Sequence, residues 1–397
     1  MPHIASLGTY LPCWGDRNER IAGDDEDAVT LAIEAGRAAL TAGEPVERVV
    51  LVSRDLPQVE SSNAAVLLAG LGLDPELEVI ERLGGAPAML DALSSARPRS
   101  LVIGVDLAPA GAAAAWISDQ GGAHLHTTAR VSRSLPVRTR NATGVHDYGD
   151  PRLLRERGLV ASLSAAWLDT PVAVAGVDQA QVAALCRPGA PQLPTLGASS
   201  AGFALAAMLE WDRSGLLVGA EQASLSGVTV APGSVAVRRI EPLPHPPSAG
   251  TFVPGSELPI SLAAYERAFE AKVRWVAGKH AGRDELDFPP RYRLAPDGAL
   301  AADYELVPLP RTGVVYAETT VRMPVPGIRC PYSLVLVQLD DVGVRVLATV
   351  TGADAGTAGI GVRGRMVLRR VAVRSGVPDY GYAFEPDLDS VAVRRSA

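Results

Sequence analysis

Three cysteines are the first residues to consider, since a thiolate can act as a nucleophile or as a metal ligand. Cys13, Cys186 and Cys330 are odd in number and far apart in the sequence. This distribution argues against a disulfide framework and against a metal cluster built on thiolates. Cys186 falls on a predicted helix and not at a helix start, so its thiolate is poorly stabilised. We therefore expect buried or idle thiols, and we predict no metal site.

Serine and histidine motifs offer two further kinds of chemistry. The motif GASSAG places Ser199 and Ser200 before a helix, but no histidine lies nearby in sequence to activate a serine nucleophile. Small residues at a helix start are a common packing device, and we favour that interpretation. His124 and His126 alternate on a predicted strand and share a face, as a metal pair would. No carboxylate or third histidine is close in sequence, so we favour surface or strand-pair histidines.

The densest polar cluster is VHDYGDPRL, which contains His146, Asp147, Tyr148 and Asp150. These side chains could contribute to a ligand site. A capped helix start, with Asp150 as the N-cap and Pro151 in the first turn, explains the same residues without a function. We favour the helix cap.

Two glycine and arginine features lie near the C-terminus. The motif GIGVRG, residues 359–364, spells GxGxxG, but a dinucleotide fingerprint needs a helix after it and a strand is predicted there. We interpret it as a turn of a barrel. The chain's richest basic stretch follows and could meet the phosphates of a ligand or of a partner protein, or could be a solvated barrel face. Both interpretations stay open for its arginines: Arg363, Arg365, Arg369, Arg370 and Arg374.

Composition limits the classes of partner. The chain has 397 residues, 47% of them hydrophobic, and a formal net charge of −7. Lysine occurs only at Lys272 and Lys279, and the arginines are spread along the chain, so nucleic acid is not an expected partner. The N-terminus has no basic leader, and no charge-free apolar run reaches about 18 residues. We predict a cytoplasmic protein without a membrane span.

The elements that must position these residues begin with an α/β pattern. Short strands are predicted at HIASLGTYL, VERVVLVSR and RSLVIGVDL, with helices at TLAIEAGRAAL, NAAVLLAGLGL and PAMLDALSSA between them. The acidic cluster Asp24 to Asp27 precedes the first helix, where the helix dipole favours carboxylates. A shorter pass of the same kind follows, with strands PVAVAGV, SGLLVGA and GVTVA and helices PRLLRERGLVASLSAAWL, QAQVAALC and AGFALAAMLEW. This tandem arrangement suggests an internal duplication.

The remaining chain has a different composition. Proline and glycine dominate EPLPHPPSAGTFVPGSELP, which predicts a linker. One amphipathic helix, SLAAYERAFEAKVRWVAG, is followed by an irregular segment and then by β-rich runs that fit a small barrel. The predicted domains are therefore 1–235 (halves of about 1–110 and 111–235), a Pro-rich linker at 236–260, a helix with an irregular segment at 261–310, and a barrel with its tail at 311–397.

The first half resembles the thiolase-fold condensing enzymes, namely 3-hydroxy-3-methylglutaryl-CoA synthase and the third-class ketoacyl-ACP synthases. The resemblance is carried by IASLGTYLP, GDDEDAVTLAIEA, GGAPAMLDAL and RSLVIGVDL, and more faintly by YGDPRLLRERG, VDQAQVAALC and PTLGASSAGFALAAMLE. It implies an α/β fold of thiolase-like duplicated βαβαβ layers.

The catalytic residues that this resemblance implies are missing. The family's cysteine belongs just before the GGA turn, where this chain has Arg82, Leu83 and Gly84. The family's histidine position holds Asp178, and its asparagine position holds Ala198. Because all three functions are vacated together, we expect a degenerate active site.

The second half, residues 261–376, resembles the zinc-ribbon and OB-fold proteins that associate with thiolases and with lipid-transfer-type aldolases. PPRYRLAPDG matches the family's ribbon segment, and PLPRTGVVYAETTV and CPYSLVLVQLDDVGVRVLATVTG match its barrel strands. The second cysteine pair of the ribbon falls at Leu294 and Asp297, and the first pair is absent, so the resemblance implies no structural zinc here.

These observations leave three functional hypotheses. The favoured one is a non-catalytic accessory subunit of an acyl-CoA thiolase, aldolase or acyltransferase complex, which provides docking and holds a CoA ester. The second is an active condensing enzyme or acyltransferase that recruits Cys186 or Cys13. The third is a stand-alone acyl-CoA-binding module. The resemblance also implies a homodimer or a hetero-oligomer, with a CoA ester as ligand and no other cofactor.

Overall fold

The structure is a computed structural model that describes residues 3–40, 45–141, 143–166, 168–247, 249–255, 259–295 and 297–387. The chain divides into two compact units. The first contains Met1–Ala22 and Asp27–His245, and the second contains Gly23–Glu26 and Pro246–Ala397.

The first unit opens with an α/β half. Its elements are β1 (His3–Tyr10), β2 (Trp14–Gly15), β3 (Arg20–Ile21), α1 (Ala28–Ala39), β4 (Arg48–Ser53), α2 (Ala64–Leu71), β5 (Glu78–Arg82), α3 (Ala86–Ser94), β6 (Ser100–Leu107) and β7 (Ala110–Ser118). Helix α1 begins after Asp27, whose side chain accepts hydrogen bonds from the backbone N–H groups of Val29 and Thr30, both at 3.0 Å. The predicted start of this helix is confirmed.

A second half completes the unit. Its elements are β8 (Ala123–Ser132), β9 (Arg138–Asn141), β10 (Gly144–Asp147), α4 (Pro151–Leu153), a π-helical stretch (Leu154–Val160), α5 (Ala161–Ala166), β11 (Ala173–Ala175), α6 (Gln179–Leu185), α7 (Ala198–Glu210), β12 (Gly215–Glu221), β13 (Ser224–Ala231) and β14 (Ala236–Ile240).

The two halves repeat one strand order within a single ten-stranded sheet. The sheet runs β11-β12-β13-β8-β1-β7-β6-β4-β5, and β14 pairs with β1. In the first half β1, β7, β6 and β4 are successive neighbours, and in the second half β8, β13, β12 and β11 follow the same order with the same parallel and antiparallel pairings. Within the described residues, β5 has no counterpart in the second half. The duplication that the sequence suggests is therefore visible as topology.

Helices separate the two halves of the sheet. α3 and α7 contact each other; α3 packs on β12 and β13, and α7 packs on β6 and β7. α1 covers β1, β6 and β7, while α5 and α6 lie on strands of the second half. Every residue of α7 from Ala198 to Met208 is buried, as expected for a helix with neighbours on all sides. The unit therefore alternates helix and sheet layers, with α3 and α7 in the middle.

The second unit contains short elements followed by a barrel. They are β15 (Thr251–Phe252), α8 (Leu262–Phe269), a π-helical stretch (Glu270–Arg274), β16 (Val276–His280), β17 (Leu286–Asp287), β18 (Arg293–Leu294), β19 (Leu300–Ala301), β20 (Tyr304–Pro308), β21 (Thr312–Val321), β22 (Arg329–Cys330), β23 (Tyr332–Leu339), β24 (Arg345–Thr349), β25 (Arg363–Arg374) and β26 (Val377–Pro386).

The barrel is a five-stranded antiparallel sheet in the order β24-β23-β21-β25-β26. A bridge between Val350 and Phe384 joins the chain after β24 to β26 and closes the sheet on itself. Burial alternates along β23, as expected for a strand with one face in the barrel core. The β-rich runs predicted at the C-terminus are confirmed as strands, and β26 is an additional strand.

Three elements differ from the prediction. Residues 236–240, assigned to the linker, form β14 because Ala236–Ile240 extends beside β1. β7 ends at Ser118 and belongs to the first half, beyond the boundary placed at about 110. The helix expected to reach Gly278 stops at Arg274, because Trp275 adopts a left-handed conformation at φ 63° and buries its ring; Val276–His280 is a strand. The tail from residue 388 lies outside the described residues.

Candidate functional site

The two central helices begin without a side-chain cap of their own. α3 starts after Gly85 and α7 starts after Gly197, and neither glycine has a side chain that could accept hydrogen bonds from the first turn. The first N–H groups of a helix have no partner within the helix, and together they attract negative charge. These two termini are therefore where the unit could hold an anion or an oxyanion.

Glu221 occupies the N-terminus of α3. It is the last residue of β12, and its Oε2 accepts a hydrogen bond of 2.9 Å from the backbone N–H of Gly85. Its other carboxylate oxygen forms an ion pair with Arg54, which follows β4. The backbone donor at the start of α3 is thus bound to a carboxylate of the chain itself.

Asp106 occupies the N-terminus of α7 in the same manner. Its two carboxylate oxygens accept hydrogen bonds of 2.8 Å from the backbone N–H groups of Ala198 and Ser199. The hydroxyl of Ser199 donates to the same carboxylate at 2.5 Å. Burial raises the pKa of Asp106 to about 6, although these hydrogen bonds and the charge of Arg54 act in the opposite direction.

The two carboxylates are related by the internal duplication. Asp106 follows Gly104 by two residues near the end of β6, and Glu221 follows Gly219 by two residues at the end of β12. A Cβ on Gly104 would lie 2.9 Å from the backbone of Ala198, and one on Gly219 would lie 2.8 Å from the backbone of Ala86. Each glycine lets its strand approach the central helix of the other half. The following carboxylate then reaches that helix N-terminus.

The positions at which the resemblance implies catalytic residues have structural roles in this chain. Arg82 ends β5 and forms a 3.4 Å ion pair with Asp91. Leu83 is exposed, and Gly84 has a φ of 154°, which favours glycine. Asp178 is the N-cap of α6 and accepts a 2.8 Å hydrogen bond from the N–H of Gln181, while Ala198 is the buried first residue of α7.

Cys186, one of the two cysteines considered as a displaced nucleophile, is poorly suited to that role. Cys186 ends α6 as its C-cap, and burial raises the pKa of its thiol to about 11. Cys13 is partly buried in the segment before β2, and Cys330 is buried in β22. A thiol with a raised pKa carries little thiolate near neutral pH.

The arginines of β25 do not form one basic face. Arg369 is 1% exposed and lies 3.5 Å from the carboxylate of Glu26, a residue of the same unit. Successive residues of a strand point to opposite faces, so Arg369 and Arg370 separate. The other four arginines also contact acidic residues of the chain: Arg363 pairs with Asp340 at 2.6 Å, Arg365 pairs with Glu385, Arg370 donates to the backbone oxygens of Asp24 and Asp25, and Arg374 pairs with Asp379 at 3.3 Å. A phosphate-binding role for the buried Arg369 is therefore not supported.

The segment predicted to be a degenerate ribbon contains an ion cluster. Asp287 is buried, and it accepts hydrogen bonds from Arg291 at 3.0 Å and from Arg293. These arginines hold the pKa of Asp287 at about 2. Leu294 lies in β18, which pairs with β19, and the side chain of Asp297 accepts a 3.0 Å hydrogen bond from the N–H of Ala299 in the turn. Among the described residues, no group of three or more His, Cys, Asp or Glu is arranged to hold a metal ion.

The remaining motifs have structural explanations. Asp150 caps the helix that begins at Pro151, as predicted, by accepting from the N–H groups of Arg152 and Leu153 at 3.0 and 3.1 Å. Ser199 and Ser200 are buried, and the hydroxyl of Ser200 donates to a backbone oxygen. The ring of His124 contacts the ring of His3 at 4.1 Å, which agrees with the prediction of surface or strand-pair histidines, and His126 lies in the same strand as His124. The motif GIGVRG forms a turn that leads into β25.

Sequence reasoning missed Arg54, Asp106 and Glu221, which fill the site. A signal was present in the two strands RSLVIGVDL and SGLLVGAE, which both contain a glycine followed by one apolar residue and an acid. This shared pattern of the two halves indicates that the two acids occupy equivalent positions.

Comparison with known proteins identifies the C-terminal domain. Residues 306–369 match the family model described as ChsH2, C-terminal OB-fold domain. No curated protein matches the chain. A variant of OleA from Xanthomonas campestris aligns with a TM-score of 0.48 and 15% identity over 58% of this chain and 98% of that one. An HMG-CoA synthase solved with CoA aligns with a TM-score of 0.48 and 15% identity, over 59% and 82% of the two chains.

A further aligned structure is 3-oxoacyl-(acyl carrier protein) synthase III, FabH, of Pseudomonas aeruginosa, with a TM-score of 0.44 and 18% identity over 58% of this chain and 98% of that one. The chain combines a mixed α/β unit, built of two halves with one strand order, with a C-terminal domain that matches an OB-fold model, so the predicted α/β class followed by a small all-β barrel is confirmed. Among the described helices, none is both long enough and apolar enough to cross a membrane.

Proposed function

We propose that the chain is a non-catalytic accessory subunit of an acyl-CoA thiolase, aldolase or acyltransferase complex in the cytoplasm. The thiolase-like half supplies a dimerisation and docking surface, and the OB-fold half helps to hold a CoA ester. The observation that carries the proposal is the closure of both central helix N-termini by the chain's own carboxylates, Glu221 and Asp106.

Acyl transfer by a condensing enzyme needs an activated nucleophile and free donors for the oxyanion. In this chain the donors at Gly85, Ala198 and Ser199 already bind carboxylates. A negative charge fixed at each helix start also repels a second anion, such as a thiolate or an oxyanion, from the same place. The site therefore combines the loss of the nucleophile with the loss of its electrostatic support.

The OB-fold half supports the second part of the proposal. It resembles proteins that associate with thiolases and with lipid-transfer-type aldolases, and such association is the usual role in that family. A scaffold that keeps the layers of a condensing enzyme and lacks its reactive groups is suited to assembly with an active partner. The oligomer is proposed to be a homodimer or a mixed complex with that partner.

Co-expression with a tagged thiolase or lipid-transfer-type aldolase encoded beside it tests the assembly. We expect a stable complex on size-exclusion chromatography, and partner turnover of an acyl-CoA ester that exceeds turnover by the partner alone. A partner that elutes separately and turns over its substrate at an unchanged rate would contradict the proposal. Acyl-CoA binding by the chain alone, without complex formation, would favour a stand-alone binding module.

A further inference from the structure

A cleft of about 280 Å³ lies in the second unit between α8 and the strands β25 and β26. One wall is a stripe on α8 made of Ala264, Tyr265, Ala268 and Phe269. These positions recur at helical spacing and form one apolar face of the helix. An eight-residue helix is about 12 Å long, so the wall can accompany an extended aliphatic chain.

None of the residues of α8 is buried. A surface helix usually covers its apolar face with the core of its own unit. Here the face borders an open cleft, and Tyr265 and Phe269 remain only partly covered. An apolar ligand lying along this wall would remove these side chains from water, which is favourable in proportion to the area covered.

The end of the cleft beyond Phe269 is polar and carries a surplus of positive charge. The carboxylate of Asp379 accepts hydrogen bonds from Lys272 at 2.5 Å and from Arg374 at 3.3 Å. Asp379 is buried, whereas the two cations are partly exposed. Two cations and one carboxylate leave a net charge of about +1 at this end of the cleft.

Both cations can bind a further anion. An ammonium has three N–H donors and a guanidinium has five, and the contacts with Asp379 occupy one on each side chain. Burial and the charge of Asp379 raise the pKa of the Tyr265 phenol, so this hydroxyl remains a neutral donor near the same end. The polar end is therefore equipped with donors and with a positive charge to balance an anion.

We propose that this cleft binds a medium-chain aliphatic carboxylate, with its chain along the apolar face of α8 and its carboxylate at Lys272 and Arg374. The proposal goes beyond the accessory role and does not depend on it, because it needs neither a partner protein nor a CoA group. An aliphatic amine of the same length would meet the positive end with the wrong charge.

Isothermal titration calorimetry of the full chain with hexanoate, octanoate and octylamine tests the proposal. Octanoate is expected to bind with a dissociation constant of about 1 mM or below. Each additional CH₂ group that is buried should tighten binding by about fourfold, and octylamine should not bind. Equal binding of octylamine and octanoate, or no binding of octanoate at several times that concentration, would overturn the proposal.

Three variants locate the ligand. Ala268→Trp fills the cleft and should abolish octanoate binding, whereas Ala263→Trp, on the same helix but outside the cleft lining, should leave it unchanged. Arg374→Gln should weaken octanoate about tenfold through loss of a charge-assisted contact. If both tryptophan variants bind as the unmodified chain does, the ligand lies elsewhere and the assignment fails. Loss of complex formation in Ala268→Trp, with no octanoate binding by the unmodified chain, would instead make the cleft a protein contact.

Discussion

At the residue scale, Asp106 and Glu221 perform one task in two environments. Both bind backbone N–H groups at the start of a central helix. Asp106 is buried, whereas the side chain of Glu221 is partly exposed and has Arg54 beside it. Burial without a directly paired cation penalises the charged form of Asp106, so its pKa rises. The two carboxylates should therefore respond differently to pH and to substitution.

The stability contributed by Asp106 should depend on pH. A folded-state pKa of about 6, against an ordinary 3.8, means that the contribution is fully present below pH 4 and is lost as the pH rises through 6. Asp106→Asn does not titrate. We expect the free energy of unfolding of the unmodified chain, minus that of the variant, to fall by up to about 3 kcal/mol between pH 4 and pH 7. Urea unfolding of both proteins at each pH measures it, and a constant or rising difference would contradict the assignment.

Glu221 should contribute to stability mainly as a helix cap. Glu221→Ala removes the acceptor for the N–H of Gly85, and loss of such a cap typically costs about 1 kcal/mol. Glu221→Gln keeps an acceptor oxygen and loses only the partly exposed ion pair with Arg54, so a smaller cost is expected. The free energy of unfolding in urea distinguishes the two variants. Equal costs would show that the ion pair, and not the cap, is the stabilising interaction.

The sequence predicts which catalytic residues are missing, but it does not predict the carboxylates that bind the two central helix starts. A missing cysteine or histidine is visible at its own position. The contacts of Glu221 with Gly85 and of Asp106 with Ala198 span 136 and 92 residues, so they depend on the tertiary fold. Short motifs report local chemistry, whereas these carboxylates act on the helix of the opposite half.

At the element scale, sequence periodicity identified most strands and helices and failed where tertiary contacts decide. The strands of the barrel alternate as expected. The helix predicted after the linker is too long, because the apolar residues of its sequence pattern continue into β16. Trp275 ends the helical segment through a left-handed conformation and a ring contact with Tyr382 at 4.5 Å. That contact lies over 100 residues away in sequence and leaves no local signal.

An ion cluster cross-links the segment that the sequence predicts to be a degenerate ribbon. Arg291, Arg293 and Asp287 join a strand, the turn after it and the next strand. Alternation along 291–294 then leaves Tyr292 and Leu294 exposed. The cluster fixes this segment without a metal ligand set among the described residues.

We therefore expect the ribbon to depend on Asp287 and not on zinc. Elemental analysis should find no stoichiometric zinc, and a chelator should leave the thermal midpoint unchanged. Asp287→Ala should leave two arginines without their shared carboxylate and increase amide hydrogen exchange in residues 291–301. Asp297→Ala, in the neighbouring turn, is the matched control and should change exchange only locally. Stoichiometric zinc with chelator-sensitive exchange would contradict this account.

At the scale of the whole molecule, the internal duplication determines where the two central helices and their carboxylates lie. Two halves with one strand order place α3 and α7 side by side, and each half sends a carboxylate to the helix of the other. The duplication was suggested by the order of predicted elements. The sequence does not predict that Gly23–Glu26 belongs to the second unit. An acidic run before a helix has the same sequence whether it caps that helix or binds arginines far along the chain.

The proposed non-catalytic role is tested by measuring the intact mass of the purified chain after incubation with acetyl-CoA and with longer acyl-CoA esters. We expect an unchanged mass, because carboxylates of the chain already bind the helix starts that would support a thioester and because the pKa of the Cys186 thiol is raised. In the mixture with a partner thiolase, the acyl adduct should appear on the partner alone. A stoichiometric acyl adduct on this chain would contradict the non-catalytic role and identify its nucleophile.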